Sequence, residues 1–238
     1  MTRETPSKLI FLCLSLLAYS SICTSHPSVS KKGAEIKGLF VFGSSLVDNG
    51  NNNFLQNSLA KADYLPYGVD FPLGPSGRFT NGKNVIDLLG DHLQLPSLIP
   101  AFADPNTMGS KIVHGVNFAS GASGILDDTG FLAQTATQNT LEIAAKSFKI
   151  RNFEKVTLPE LEAQLGHRSR VLLPNYLFVV GTGGNDYSFN YFLMKSSINV
   201  SLEAFTANLT SSLSQQIRSG LHAQIFFDNL LLFEDAKS

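Results

Sequence analysis

LFVFGSSLVDNGNNN, residues 39–53, decides how the rest of the sequence is read. Leu39, Phe40, Val41 and Phe42 form a short apolar run bounded by turn residues, the pattern of a strand buried in a parallel sheet. Gly43 ends the run where a side chain would crowd a tight turn, two hydroxyls follow at Ser44 and Ser45, and residues 48–53 are almost all Asn, Asp and Gly. A serine just past a strand's carboxyl end sits where open α/β sheets gather their chemistry. The same residues equally suit a Ser/Asn-rich turn with no chemical role, so the other strand ends must decide.

Two further strand patterns end in the same way. Residues 113–119 run into Ser120-Gly121-Ala122-Ser123-Gly124, and residues 176–180, apolar throughout, run into Gly181-Thr182-Gly183-Gly184-Asn185-Asp186. Residues 225–227 suggest the start of a fourth strand. Helical patterns separate them. Asn81 is placed to cap a helix over about 82–92, whose Val85, Ile86, Leu89 and Leu93 share one face. Residues 54–60, 132–152, 158–165 and 202–221 also read as helical, with Glu160 and Glu162 on a solvated face, while the Pro-bearing stretches 64–77 and 94–108 read as loops. Strands alternating with helices predict an α/β fold with a parallel sheet covered on both faces.

Composition narrows the function classes. The formal net charge is −1 and 16% of residues are charged, which argues against an electrostatic nucleic-acid partner. Residues 1–25 carry Arg3 and Lys8 ahead of an apolar run and small residues at Cys23 and Ser25, the layout of a secretory signal peptide. The run is shorter than the ~20 residues of a membrane span and is interrupted by serines, so no integral span is expected once the leader is removed. Residues 26–37 then form a loose mature N-terminus. Both cysteines, Cys13 and Cys23, lie in the leader, so the mature domain relies on packing without disulfides. Sequons at Asn199 and Asn208 fit an exported glycoprotein. No metal pattern, phosphate-binding Gly-rich loop or G-x-S-x-G elbow is present.

Ser45, Gly121 and Asn185 stand at three strand ends. Together they suit acyl transfer: a hydroxyl nucleophile, a backbone N–H freed by glycine, and a side-chain amide donor for a developing oxyanion. Singly, each also reads as an ordinary turn residue.

From residue 39 to about 221 the sequence resembles the plant-type GDSL esterase/lipase family of the SGNH hydrolase superfamily. FVFGSSLVDNGNNN resembles its first block, GRFTNGK (residues 77–83) the next signature, GVNFASGASGILD (115–127) the second block and VVGTGGNDY (179–187) the third. The resemblance implies a three-layer α/β/α flavodoxin-like fold over residues 38–221 and an ester hydrolase acting on lipid or other acyl esters without a cofactor. It makes Ser45 the nucleophile and assembles the oxyanion hole from the N–H groups of Ser45 and Gly121 and the side chain of Asn185.

Two departures qualify it. The family places aspartate before the nucleophile, where this sequence has Ser44, which removes a carboxylate acceptor from the loop and predicts weakened activity. No histidine stands in an Asp-x-x-His block, the family's source of general base and orienting acid: the residues three before His26, His92, His114, His167 and His222 are Cys23, Leu89, Lys111, Gln164 and Ser219. His222, the nearest substitute, reads as an ordinary surface residue. After about residue 221 the pattern is lost, so residues 222–238 read as a divergent tail, 132–150 as an insertion, and the whole as a shortened or alternatively spliced form. An inactive form that at most binds esters is therefore the alternative to a working hydrolase.

Overall fold

The buried strand of the opening motif lies at the centre of the sheet. In the computed structural model, which describes residues 35–56, 58–130, 150–193, 200–218 and 230–233, β1 (Gly38–Gly43) is buried along its whole length. It pairs in parallel with β2 (Gly115–Asn117) on one side and with β3 (Tyr176–Gly181) on the other, Gly43 lying opposite Gly181. β4 (Leu230–Phe233) extends the sheet in parallel beyond β3, giving the order β2-β1-β3-β4. The chain leaves β1 for one neighbour and returns for the other, so a topological switch lies between β1 and β3, where α/β sheets open a crevice at their carboxyl ends.

Alternation along the strands sends two apolar sets to opposite faces. Phe40, Phe42, Val116, Phe118, Phe178 and Val180 pack with Phe153, Leu158, Leu161, Leu172 and Ile217. These partners come from a helical segment that passes through a π-helical turn (Phe153–Thr157) into α2 (Leu158–Leu165), from α3 (Ser169–Leu172) and from α4 (Leu202–Arg218). Leu39, Val41 and Val179 face the other way and meet Ile86 of α1 (Val85–His92) together with Val47 and Ile99. The three-layer α/β/α expectation is met. Rings carry much of the first layer: Phe40 lies 5.1 Å from Tyr176 and Phe42 stacks on Phe118 at 5.1 Å. Truncating a buried phenylalanine of this kind costs on the order of 3–5 kcal/mol.

Several boundaries differ from the sequence expectation. The cap of α1 is Asn84, not Asn81: its side chain accepts from the N–H groups of Ile86 and Asp87, and Asp87 accepts from the Asn84 N–H, closing a capping box. The helix expected over 54–60 is replaced by a 3-10 turn, Asn51–Phe54. There the Asn52 amide takes the Ala60 carbonyl and Lys61 Nζ takes those of Asn52 and Asn53, so side chains satisfy the backbone that a helix would otherwise pair. β2 is shorter than 113–119: Val113 and His114 form a turn before it, and past Asn117 the Phe118 and Ser120 N–H groups still donate to the Val41 and Gly43 carbonyls while Asn117 Oδ1 accepts from the Ala119 N–H. Residues 225–227, where the sequence suggested the start of a fourth strand, fall outside the described residues, as do residues 1–34, 57, 131–149, 194–199, 219–229 and 234–238. The signal-peptide reading, most of the proposed insertion, His26, His222 and Asn199 belong to those segments.

Candidate active site

The turn after β1 is tied to both neighbouring strand ends through the main chain. Ser44 N–H donates to the Gly181 carbonyl at 2.9 Å, and the Gly43 carbonyl accepts from Ser120 N–H at 2.9 Å and from Ser123 Oγ at 3.1 Å. A side chain at Gly43, whose φ is +156°, would run into the Gly181 carbonyl and the Val47 methyl. Glycine is the residue that lets these strand ends close together.

Ser45 opens a short 3-10 turn, Ser45–Val47, and is half-buried, whereas Ser44 is buried. Gly121 is buried on the β2 side. Its φ is not positive, so the glycine is required by close approach: a Cβ there would meet the Phe79 ring and Asn52 Nδ2 at 2.9 Å. The neighbouring Ala122 carries the strain instead, with φ +68°. Asn185, half-buried at the β3 end, donates from Nδ2 to the Ser123 carbonyl at 2.8 Å. The same short turn after β2 is therefore bonded to the β1 turn through Ser120 and Ser123 and to the β3 turn through Asn185. All three expected residues stand on strand ends joined in this way.

The Gly121 amide is already engaged. It donates to Asp48 Oδ2 at 3.0 Å and to Asn52 Oδ1 at 3.1 Å, and the Asn52 amide donates to the Gly121 carbonyl at 3.1 Å. Asp48 is the residue that sequence reasoning passed over. Fully buried, it also accepts from the Gly50 and Asn51 N–H groups, both at 2.8 Å. Burial pushes its carboxyl up to about 6, outweighing the three backbone hydrogen bonds and the nearby Arg78 charge that pull the other way. The D-x-G-N spacing at residues 48–51, an Asx turn, was the available signal.

The rest of the loop is a lattice of asparagines. Asn49 Nδ2 donates to the Ile99 carbonyl at 2.8 Å, Asn51 Nδ2 to the Asn117 carbonyl at 2.9 Å, and Asn117 Nδ2 to the Val47 carbonyl at 2.6 Å. Asn84, the α1 cap, donates to Asn49 Oδ1 at 2.7 Å. Behind it Arg78 grips Asp87 through two bonds, Nε to Oδ2 at 2.7 Å and Nη2 to Oδ1 at 2.8 Å, with both side chains nearly fully buried. Arg78 also lies 4.5 Å from the Phe71 ring centre. Arg78 of the GRFTNGK segment thus braces the loop after β1 through the Asn49 carbonyl and holds Asp87 of α1, which Asn84, the residue after that segment, caps.

A second buried carboxylate organises the β2 turn from the β3 side. Asp186 accepts from Ile125 N–H, Leu126 N–H and Thr129 Oγ1, the last at 2.7 Å. It opens a π-helical stretch, Asp186–Phe192, directly after Asn185. Of the described histidines, none hydrogen-bonds to Ser45. His114 precedes β2, at the opposite end of the sheet, with Nδ1 2.9 Å from the Lys37 carbonyl, and His92 and His167 are exposed.

Comparison with known proteins now bears on this arrangement. The family described as GDSL-like Lipase/Acylhydrolase matches residues 39–230, reaching from the first residues of β1 into β4. The chain belongs to this family. Among its GDSL relatives, three esterases/lipases of Arabidopsis thaliana illustrate the likeness. One is 46% identical over 164 residues, covering 68% of this chain and 40% of the relative. A second is 39% identical over 197 residues, with coverages of 80% and 50%, and a third 39% over 201 residues, with 83% and 51%. The chain spans about half the length of these GDSL relatives. Among the described residues no helix is long and apolar enough to cross a membrane, and no cluster of potential metal ligands occurs.

Proposed function

We propose that this chain carries the nucleophile and oxyanion-binding part of a secreted serine ester hydrolase acting on lipid or other acyl esters. The observation that supports it best is the set of main-chain and amide bonds holding the ends of β1, β2 and β3 together, with Ser45, Gly121 and Asn185 one on each. In this reading Ser45 Oγ attacks the ester carbonyl carbon, its proton passes to a base, and the carbonyl electron pair moves to an oxygen that N–H donors receive. Collapse of that tetrahedral centre expels the alcohol and leaves an acyl-serine, which water then hydrolyses. No base is assigned, because the sequence offers no Asp-x-x-His pair.

A second reading has its own support. The Gly121 N–H is directed at Asp48 and Asn52, so it reaches an oxyanion only if those bonds lengthen, and a chain in which they persist binds esters without turning them over. Reaction of the purified chain with a fluorophosphonate probe separates the two. Labelling at Ser45 that disappears in Ser45→Ala is expected for the hydrolase, and an unlabelled wild-type chain overturns it. Export is read from the leader: a mature N-terminus following Ser25, found by mass spectrometry, is the expected product. Asn208, exposed on α4, is the sequon residue proposed to carry glycan within the described residues.

A further inference from the structure

Three aromatic rings lead outward from Gly121. The edge of the Phe79 ring abuts the Gly121 Cα so closely that a Cβ there would come within 2.7 Å of Phe79 Cε2. Tyr67 stands edge-to-face on Phe79 at 5.8 Å between ring centres and 70°, and Tyr64 on Tyr67 at 5.5 Å and 81°. Exposure rises along the series: Phe79 and Tyr67 are half-buried and Tyr64 is 57% exposed. The loop bearing the tyrosines is fastened to the strip after Phe79. Gly68 N–H donates to the Thr80 carbonyl at 2.9 Å and Asp70 N–H to that of Asn81 at 2.6 Å. Of the cations beside the row in sequence, Lys61 is turned to the carbonyls of Asn52 and Asn53 and Arg78 is held by Asp87. The row therefore offers ring edges and faces to solvent in a fixed arrangement, without a directed charge.

We infer that Phe79, Tyr67 and Tyr64 form the seat for an unbranched apolar chain of the ester substrate, running outward from the oxyanion glycine. The inference rests on the assignment of Gly121 under the proposed function. Contact with the Gly121 Cα places the first ring beside the backbone that would hold the carbonyl oxygen. Two ring-to-ring steps of 5.8 and 5.5 Å then set the reach of the seat. Chains of medium length fill it, and short ones leave the tyrosines bare.

The test uses hydrolysis-resistant amides and needs no turnover. N-methyldecanamide carries the long chain on the acyl side, N-decylacetamide carries it on the alcohol side, and N-methylbutanamide is the short control. Binding to the full chain is followed by tyrosine emission, since the sequence has six tyrosines and no tryptophan. A long-chain amide is expected to bind roughly tenfold or more tightly than the short one, from the methylenes removed from water. Phe79→Ala and Tyr64→Ser should each erase several-fold of that preference. Tyr64 is exposed, so its variant keeps the test alive if Phe79→Ala unfolds. Whichever long amide responds identifies the side of the ester that the seat receives. Equal binding of long and short amides, or a preference untouched by either substitution, overturns the inference. A wild-type chain that the fluorophosphonate does not label but that keeps the long-chain preference would count against the nucleophile alone.

Discussion

Asp48→Asn is the most informative single substitution, because it changes one buried charge without changing the size of the side chain. In the fold the Asp48 carboxyl sits at about 6, against 3.8 when exposed. The folded state therefore holds this proton more tightly than the unfolded one. Stability from this group is fully present below pH 3.8 and is lost as pH rises through about 6. Two pKa units and a fraction correspond to about 3 kcal/mol across the whole window, and about 1.3 kcal/mol of it falls between pH 5 and pH 7. In Asp48→Asn the amide oxygen still accepts from the Gly50 and Asn51 N–H groups, but its NH₂ faces the Gly121 N–H, donor against donor. The variant should lose the pH slope while paying a constant penalty for the lost acceptor. Urea unfolding at pH 5 and pH 7, followed by circular dichroism, measures both. Taking wild type minus variant cancels the histidines and surface carboxylates. At an m-value of roughly 2–3 kcal/mol/M the difference is about 0.5 M in midpoint. A variant that kept the full wild-type slope between these pH values would show that Asp48 is not the titrating group.

Arg78→Lys should behave nearly as badly as Arg78→Ala, each losing about 3–5 kcal/mol in urea unfolding, because lysine cannot reproduce the two-pronged grip on the buried Asp87; recovery of wild-type stability by lysine would contradict the bidentate geometry. Asp186→Asn should cost about 1–3 kcal/mol, since Oδ1 can still serve Ile125, Leu126 and Thr129 but an NH₂ in place of Oδ2 faces the Ile125 N–H, donor against donor, and hydrogen exchange should quicken first at the Ile125 amide; an unaltered exchange pattern would count against it. Gly121→Ala should shift the Phe79 ring, seen as altered Phe79 ring-proton resonances, and weaken or abolish fluorophosphonate labelling. Ala122→Gly should be neutral or stabilise by up to about 1 kcal/mol, as it relieves a left-handed alanine; a marked loss of stability would mean that the alanine methyl is packed and needed.

The centre of the sheet could be read from the sequence because β1 and β3 are each a short apolar run stopped by glycine, a signal that residues 39–43 and 176–181 carry in full. The placement of the candidate residues could be read for the same reason: Ser45, Gly121 and Asn185 each follow a strand end. Finer features depended either on a short-range pair that a general helix pattern does not single out or on pairings between distant residues that local patterns do not encode. Asn81 and Asn84 are both plausible caps, and only Asp87 lying three residues after Asn84 closes the reciprocal pair. Asp48 resembled any acid in a turn until its oxygen was found on the Gly121 amide 73 residues away. The short turn at 51–54 escaped notice because asparagine side chains, not an apolar face, hold it.

The carbonyl of Gly43 accepts one bond from the backbone and one from a hydroxyl of the turn after β2, while the next residue's N–H reaches across to β3. Two of those three links are made by atoms that every residue type possesses. The spacing of the three strand ends can therefore outlast changes of side chain at the turn after β1, including the serine that stands at position 44 in place of the family's aspartate. For the proposed hydrolase, alignment of the reacting groups and the strength of their activation then become separately adjustable properties, the first written in the main chain and the second in whatever side chains the turn happens to carry.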